Sequence, residues 1–139
     1  MKTRGLLALT TLLLIVAFVP IKANADEEYS ATLISPSAGQ VLYPGQKVKV
    51  QWKSTLPRID LTECETEVWL SLDGGRTFQT CITPILDPKG HFFYWTVPNM
   101  PTNAAVLDIR FGCEGWYPES PSPQMTSMFV IASSPGGLY

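Results

Sequence analysis

Between Val68 and Phe78 the chain reads V-W-L-S-L-D-G-G-R-T-F, two runs of alternating apolar and polar residues meeting at Asp73-Gly74-Gly75. Side chains that alternate with a period of two bury a common face only as β-strands, and paired glycines supply the backbone angles of a reversal. The segment therefore predicts a β-hairpin with a plain turn at its corner. The same alternation recurs before it in V-K-V-Q-W (Val48 to Trp52) and after it in Y-W-T-V-P (Tyr94 to Pro98). Such segments pair antiparallel and stack as sheets over a shared apolar interior. No apolar repeat of helical period runs far enough to compete, and 11 of the 12 prolines lie beyond residue 25, where they interrupt helices.

The N-terminus has a different character. Lys2 and Arg4 precede an apolar run from Leu6 to Val19, followed by Ala23-Asn24-Ala25, the arrangement of a cleaved secretory signal. The run is shorter than the roughly 20 residues of a membrane-spanning helix, and no cysteine stands at the cleavage point to carry a lipid. We expect residues 1–25 to be removed, residues 26–132 to form one domain, and residues 133–139 to be a frayed tail. The expected location is secreted, periplasmic or extracellular, with no membrane attachment after cleavage. Losing Lys2, Arg4 and Lys22 leaves 7 basic against 12 acidic residues, a net charge of −5. Nucleic-acid surfaces need clustered positive charge, so such a partner is not expected.

Strands are expected at Tyr29 to Ile34, Lys47 to Lys53, Thr66 to Leu72, Thr77 to Ile82, His91 to Val97, Val106 to Cys113 and Met125 to Ala132. They are separated by turn-forming stretches such as S-P-S-A-G, P-G, D-P-K-G and P-N-M-P. Trp116 to Gln124, with three prolines, is the one longer irregular connection. Parity sends Val48, Val50 and Trp52 inward with Val68, Leu70 and Leu72, with Phe93, Trp95 and Val97, and with Leu107, Ile109 and Phe111. It turns Lys47, Lys49, Lys53, Asp108 and Arg110 toward solvent.

The pattern S-P-S-A-G-Q, then G-Q-K-V-K-V-Q-W-K-S, E-V-W-L-S-L-D-G-G-R-T-F, W-T-V-P and V-L-D-I-R-F resembles the immunoglobulin-like or fibronectin type III-like modules of secreted bacterial proteins. It is also similar to the extracellular domain of the fungal serine/threonine-rich cell-wall family. The resemblance implies an all-β, seven-stranded antiparallel immunoglobulin-like/fibronectin III-like sandwich, and a role in extracellular binding, adhesion or spacing. In that topology the strand from Thr66 runs antiparallel to the strand ending at Cys113, which brings Cys64 opposite Cys113. The same register sets Glu67 against Arg110, Val68 against Ile109, Trp69 against Asp108 and Leu70 against Leu107, so charges and apolar pairs match together. A Cys64–Cys113 disulfide is the expected linkage in an exported protein. Cys81 with Cys64, or Cys81 with Cys113, are the alternatives. An unpaired Cys81 is either a buried inert thiol or an intermolecular link.

Catalytic and cofactor signatures are not found. His91, the sole histidine, opens a strand, no serine sits in a G-x-S-x-G elbow, and Asp73-Gly74-Gly75 lacks the alternating oxygen ligands of a calcium loop. Three dispersed cysteines do not have zinc-site spacing. Glu63, Glu65 and Glu67 project as an acidic strip, read as a solvated edge with Glu67 neutralised by Arg110. We therefore expect no enzyme, no metal and no cofactor.

Two aromatic surfaces remain. Phe92 and Tyr94 point outward on the sheet that carries Lys47, Lys49 and Lys53, a platform for a sugar ring or a protein. Trp69, Trp116 and Tyr117 form the second candidate patch. The leading expectation is a secreted non-enzymatic module that binds a protein or cell-surface partner through an exposed sheet or the Trp116 to Gln124 loop, with Trp69, Trp116 and Tyr117 as the candidate partner surface. The alternatives are a carbohydrate-binding module working through Phe92 and Tyr94, and a structural subunit that assembles into oligomers by edge strands or through Cys81.

Overall fold

A computed structural model describes residues 28–134; the expected signal segment and the C-terminal tail fall outside these residues or at their margin. Among the described residues the chain is almost entirely β: β1 (Ser30–Ser35), β2 (Val41–Leu42), β3 (Lys47–Thr55), β4 (Cys64–Ser71), β5 (Thr80–Cys81), β6 (Phe92–Thr96), β7 (Thr102–Cys113), β8 (Tyr117–Ser120) and β9 (Phe129–Ile131), with one 3₁₀ turn at Met125–Ser127. None of them forms a helix long and apolar enough to cross a membrane. The strands make a small sheet ordered β1-β3-β6 and a larger one ordered β2-β9-β7-β4-β5, with β8 alongside β7.

The two sheets share one apolar interior. Trp52, Val50, Val68, Leu70, Ile109, Leu107, Trp95 and Val97 are buried in it, each at the inward parity of its strand, while Leu72 and Phe93 pack at its margin. A second cluster joins Tyr29, Phe111 and Cys113 at one end. Strand β4 lies against β7 in the expected register, with Glu67 facing Arg110, Trp69 facing Asp108 and Cys64 facing Cys113. Cys64 and Cys113 form the disulfide. Cys81 faces Trp69, five positions along β4 from Cys64, and is free; that offset rules out both alternative pairings. A disulfide at this position fits an oxidising compartment.

Several expectations need correction. Instead of seven antiparallel strands there are nine among the described residues, and β2 runs parallel to β9. The expected strand from Thr77 shrinks to Thr80–Cys81 because the corner is a built loop rather than a plain turn. Asp73 accepts hydrogen bonds from the amides of Arg76 and Thr77 and from the hydroxyls of Thr77 and Ser71. The buried Ser71 hydroxyl accepts from the Gly75 amide. Side-chain acceptors have replaced ladder partners, as Asp and Ser do in turns. Gly74 and Gly75 both have positive φ, 77° and 87°, which a side chain would strain. These bonds hold the Asp73 carboxyl below the ordinary carboxylate range, the Thr77 hydroxyl contributing most.

The long connection after Trp116 is also more ordered than expected. Tyr117–Ser120 pairs with β7 as β8, and the amide of Gln124 then donates to Leu107 O. The expected strand from Met125 begins only at Phe129, after the 3₁₀ turn. Side chains from this connection reach β1. Ser122 Oγ meets both the N–H and the C=O of Ala31 at 3.1 Å. Gln124 accepts from the Leu33 amide at 2.7 Å and donates to Ala31 O at 2.9 Å. Asp108, expected in solvent, is 1 % exposed. The same connection explains its burial: the Ser122 amide donates to Asp108 Oδ1 at 2.7 Å and Arg110 Nε to Oδ2 at 2.7 Å.

Tyr29 anchors the start of the domain. Its ring stacks on Phe111 with centroids 5.1 Å apart, and its hydroxyl donates to Ile109 O at 2.8 Å. Burial, aided by the charge of Asp108, pushes its ionisation well above that of an ordinary tyrosine. An unfolded tyrosine ionises near pH 10, so this stabilisation is complete below that pH and declines as the pH rises past it. Absorbance titration at 295 nm should show a late phase, ionising well above the ordinary tyrosine range and distinct from the rest of the titration. Loss of that phase in Tyr29→Phe assigns it.

Candidate functional site

The outer face of the small sheet is built by alternation. In β6, Phe93 and Trp95 turn inward and Phe92, Tyr94 and Thr96 outward, because the core claims one parity and leaves the other to solvent. Strand β3 contributes Lys47, Lys49 and Lys53 to the same face, all exposed, with Lys49 directly beside Tyr94 and Lys47 beside Thr96. Phe92 is 51 % and Tyr94 53 % exposed. The rings meet edge to face, with centroids 5.8 Å apart and planes at 75°. Each carries a cation: Lys49 Nζ lies 4.6 Å from the Phe92 centroid and Lys47 Nζ 5.3 Å from that of Tyr94. The result is a neutral aromatic pair bordered by ammonium groups on a rigid sheet.

The second patch does not assemble. Trp69 is half-buried: the Arg110 guanidinium lies 4.7 Å over its ring, with Phe78 on that same guanidinium at 5.8 Å, and its indole N–H donates to Glu67. Tyr117 packs edge-on against Phe111 and belongs to the second apolar cluster. Of the three residues Trp116 alone is largely exposed, at 53 %, beside Tyr117. Register separates them further. Trp69 faces Asp108 and Tyr117 faces Cys113, five positions apart on β7, about 17 Å at strand rise.

The outward side of the large sheet is acidic. Glu65, Glu67, Glu114, Glu119 and Tyr117 border a shallow groove beside Arg110. Glu67 is not neutralised as expected, for Arg110 pairs with Asp108 at 2.7 Å and Glu119 at 2.9 Å. Burial opposes the guanidinium charge, but the hydrogen bonds to Asp108 and Glu119 outweigh it and raise the arginine above its ordinary value. Among the described residues no three histidine, cysteine or carboxylate side chains are placed to hold a metal ion. His91 is exposed ahead of β6. The thiol of Cys81 donates to Thr83 O within its own turn.

Sequence patterning found Phe92, Tyr94 and the lysines, because parity alone places them. It missed the half-burial of Trp69, on whose ring Arg110 of β7 lies, and the burial of Asp108, which the Ser122 amide reaches from the 121–128 connection. Comparisons of the chain with models of known families, with curated proteins and with solved structures return no match.

Proposed function

We propose that the chain is an exported, non-enzymatic immunoglobulin-like module that binds a protein partner through the outer face of β3 and β6. The observation that carries this reading is the pair Phe92 and Tyr94, each about half exposed on a rigid strand and bordered by Lys47 and Lys49. Aromatic rings held rigid lose little conformational freedom on docking, and a polar rim around an apolar centre is the common plan of protein interfaces. The immunoglobulin-like assignment is supported by a three-stranded sheet facing a larger one, with β2 leaving β1's sheet to lie parallel to β9. Export is supported by the N-terminal sequence and by the disulfide.

A carbohydrate-binding role for the same rings is the second reading. Ring geometry disfavours it, since sugar stacking calls for an open flat face, and here the rings stand at 75° with an ammonium over each. Glycan arrays and affinity capture from the native extracellular fraction, each with the parent and with Phe92→Ala/Tyr94→Ala, separate the two. We expect a protein to be retained by the parent and its retention to fall at least tenfold in the variant, about the effect of 1.4 kcal/mol. Retention of a glycan, lost in that variant, transfers the function to carbohydrate binding. Equal protein capture by both chains removes this face from the account.

A further inference from the structure

We propose that β6 is also a pairing edge for a second copy of this chain, joined antiparallel about Tyr94 into one continuous six-stranded sheet. The inference deepens the reading above and rests on it only in using the same strand. The hydrogen-bond ladder sets its geometry. Trp52 N–H donates to His91 O and Val97 N–H to Gln46 O, both at 2.9 Å. The odd-numbered positions of β6 are therefore the ones bonded to β3, and by ladder alternation the N–H and C=O of Phe92, Tyr94 and Thr96 point to the free edge.

Other edges in the described residues are blunted. Ser122 and Gln124 occupy the outward N–H and C=O of Ala31 and the N–H of Leu33 on β1. Strands β2 and β5 are two residues long, and β8 contains Pro118 and Glu119. Proteins guard edges by cover, shortness, proline or charge; β6, F-F-Y-W-T, has none of these along its five residues.

Register explains why the occupant is another copy. Centred on Tyr94, the pairing sets Tyr94 against Tyr94 and Phe92 against Thr96 of the second copy, in both directions. All three outward positions then exchange bonds in a two-fold, self-complementary contact. On the inner side Phe93, half-buried at the open edge, gains the second copy's Trp95 as a neighbour. On the outer side both aromatic pairs meet in the middle. The facing strands bring no charge to each other, and the two Lys49 residues lie three strand spacings apart, about 14 Å, beyond the roughly 8 Å screening length of physiological salt. Pro98, which has no N–H, ends the pairing. Five residues a side is small against the roughly 20–30 of a standard interface, so a weak, concentration-dependent dimer is expected.

Sedimentation of the Cys81→Ser chain from about 10 µM to about 1 mM tests this without disulfide-linked dimers, across the range in which small interfaces associate. The mass should rise toward twice the monomer. Thr96→Pro, which removes an outward N–H at an edge position that tolerates proline, should weaken association at least tenfold, and Thr96→Ala should leave it nearly unchanged. A parent chain monomeric throughout, or Thr96→Pro dimerising as well as the parent, overturns the inference. Should Thr96→Pro fail to fold, amide exchange in the Cys81→Ser chain decides. Exchange at Phe92, Tyr94 and Thr96 must slow several-fold with concentration, and constant exchange there overturns the proposal. A monomeric chain that still captures its partner through Phe92 and Tyr94 sinks only the dimer. A dimer with undiminished capture by Phe92→Ala/Tyr94→Ala sinks only the binding face.

Discussion

Replacing both Cys64 and Cys113 with alanine should lower the unfolding free energy by about 4 kcal/mol, the chain-entropy value for a closed loop of this size. The bond spans 49 residues and ties the start of β4 to the end of β7, the two strands in most extensive contact with each other. Opening it releases a long loop in the unfolded chain and removes an anchor of the cluster formed by Tyr29, Phe111 and Cys113. Urea unfolding followed by tryptophan fluorescence measures the loss. A decrease below about 1 kcal/mol contradicts the assignment, because removing a native disulfide from a small secreted domain typically costs 2–5. Cys81→Ser, by contrast, should leave stability nearly unchanged, since that thiol bonds only within its own turn.

Gln124→Ala is expected to cost about 3 kcal/mol, from buried groups left without partners. Gln124 is 8 % exposed, and its amide group bonds Leu33 N, Ala31 O and Ser122 O. It takes the place of a neighbouring strand for β1. With alanine there, the Leu33 amide and Ala31 carbonyl face a gap that side chain no longer fills. The effect should be local as well as global: amide exchange at Leu33 rises more than exchange at Val50 or Ile109 when compared under native conditions. Thermal denaturation and site-resolved exchange together check this, and a loss no larger than that of an ordinary surface alanine substitution, about 0.5 kcal/mol, contradicts the role.

What patterning could read in this chain was whatever parity controls. The β4–β7 register that sets Cys64 against Cys113 was implied by the fibronectin-like resemblance, with Val68 opposite Ile109 in agreement, while Trp52, Leu70, Trp95 and Ile109 fall inward because alternate positions on a strand share a face. Phe92 and Tyr94 were legible for the same reason. Illegible were the places where a side chain substitutes for backbone pairing. Asp73 and Ser71 look like turn residues in sequence, yet they satisfy the loop amides so fully that the strand expected from Thr77 starts three residues later. Gln124 and Ser122 look like polar loop residues, yet they complete β1. Asp108 sits at an outward position, and its burial depends on Ser122 arriving from 14 residues downstream. Trp69 is half-buried because Arg110, its diagonal neighbour on β7, lies on its ring.

The account turns on which aromatic surface meets a partner, and one comparison tests that most directly. Binding of the captured extracellular partner should be titrated against the parent, Phe92→Ala/Tyr94→Ala and Trp69→Ala/Trp116→Ala, each checked for native unfolding behaviour. The account predicts affinity at least tenfold weaker for the first variant, an effect of about 1.4 kcal/mol or more, and affinity within a factor of about two of the parent for the second, under about 0.5 kcal/mol. Retained affinity in Phe92→Ala/Tyr94→Ala together with loss in Trp69→Ala/Trp116→Ala would place recognition on the opposite sheet and contradict it.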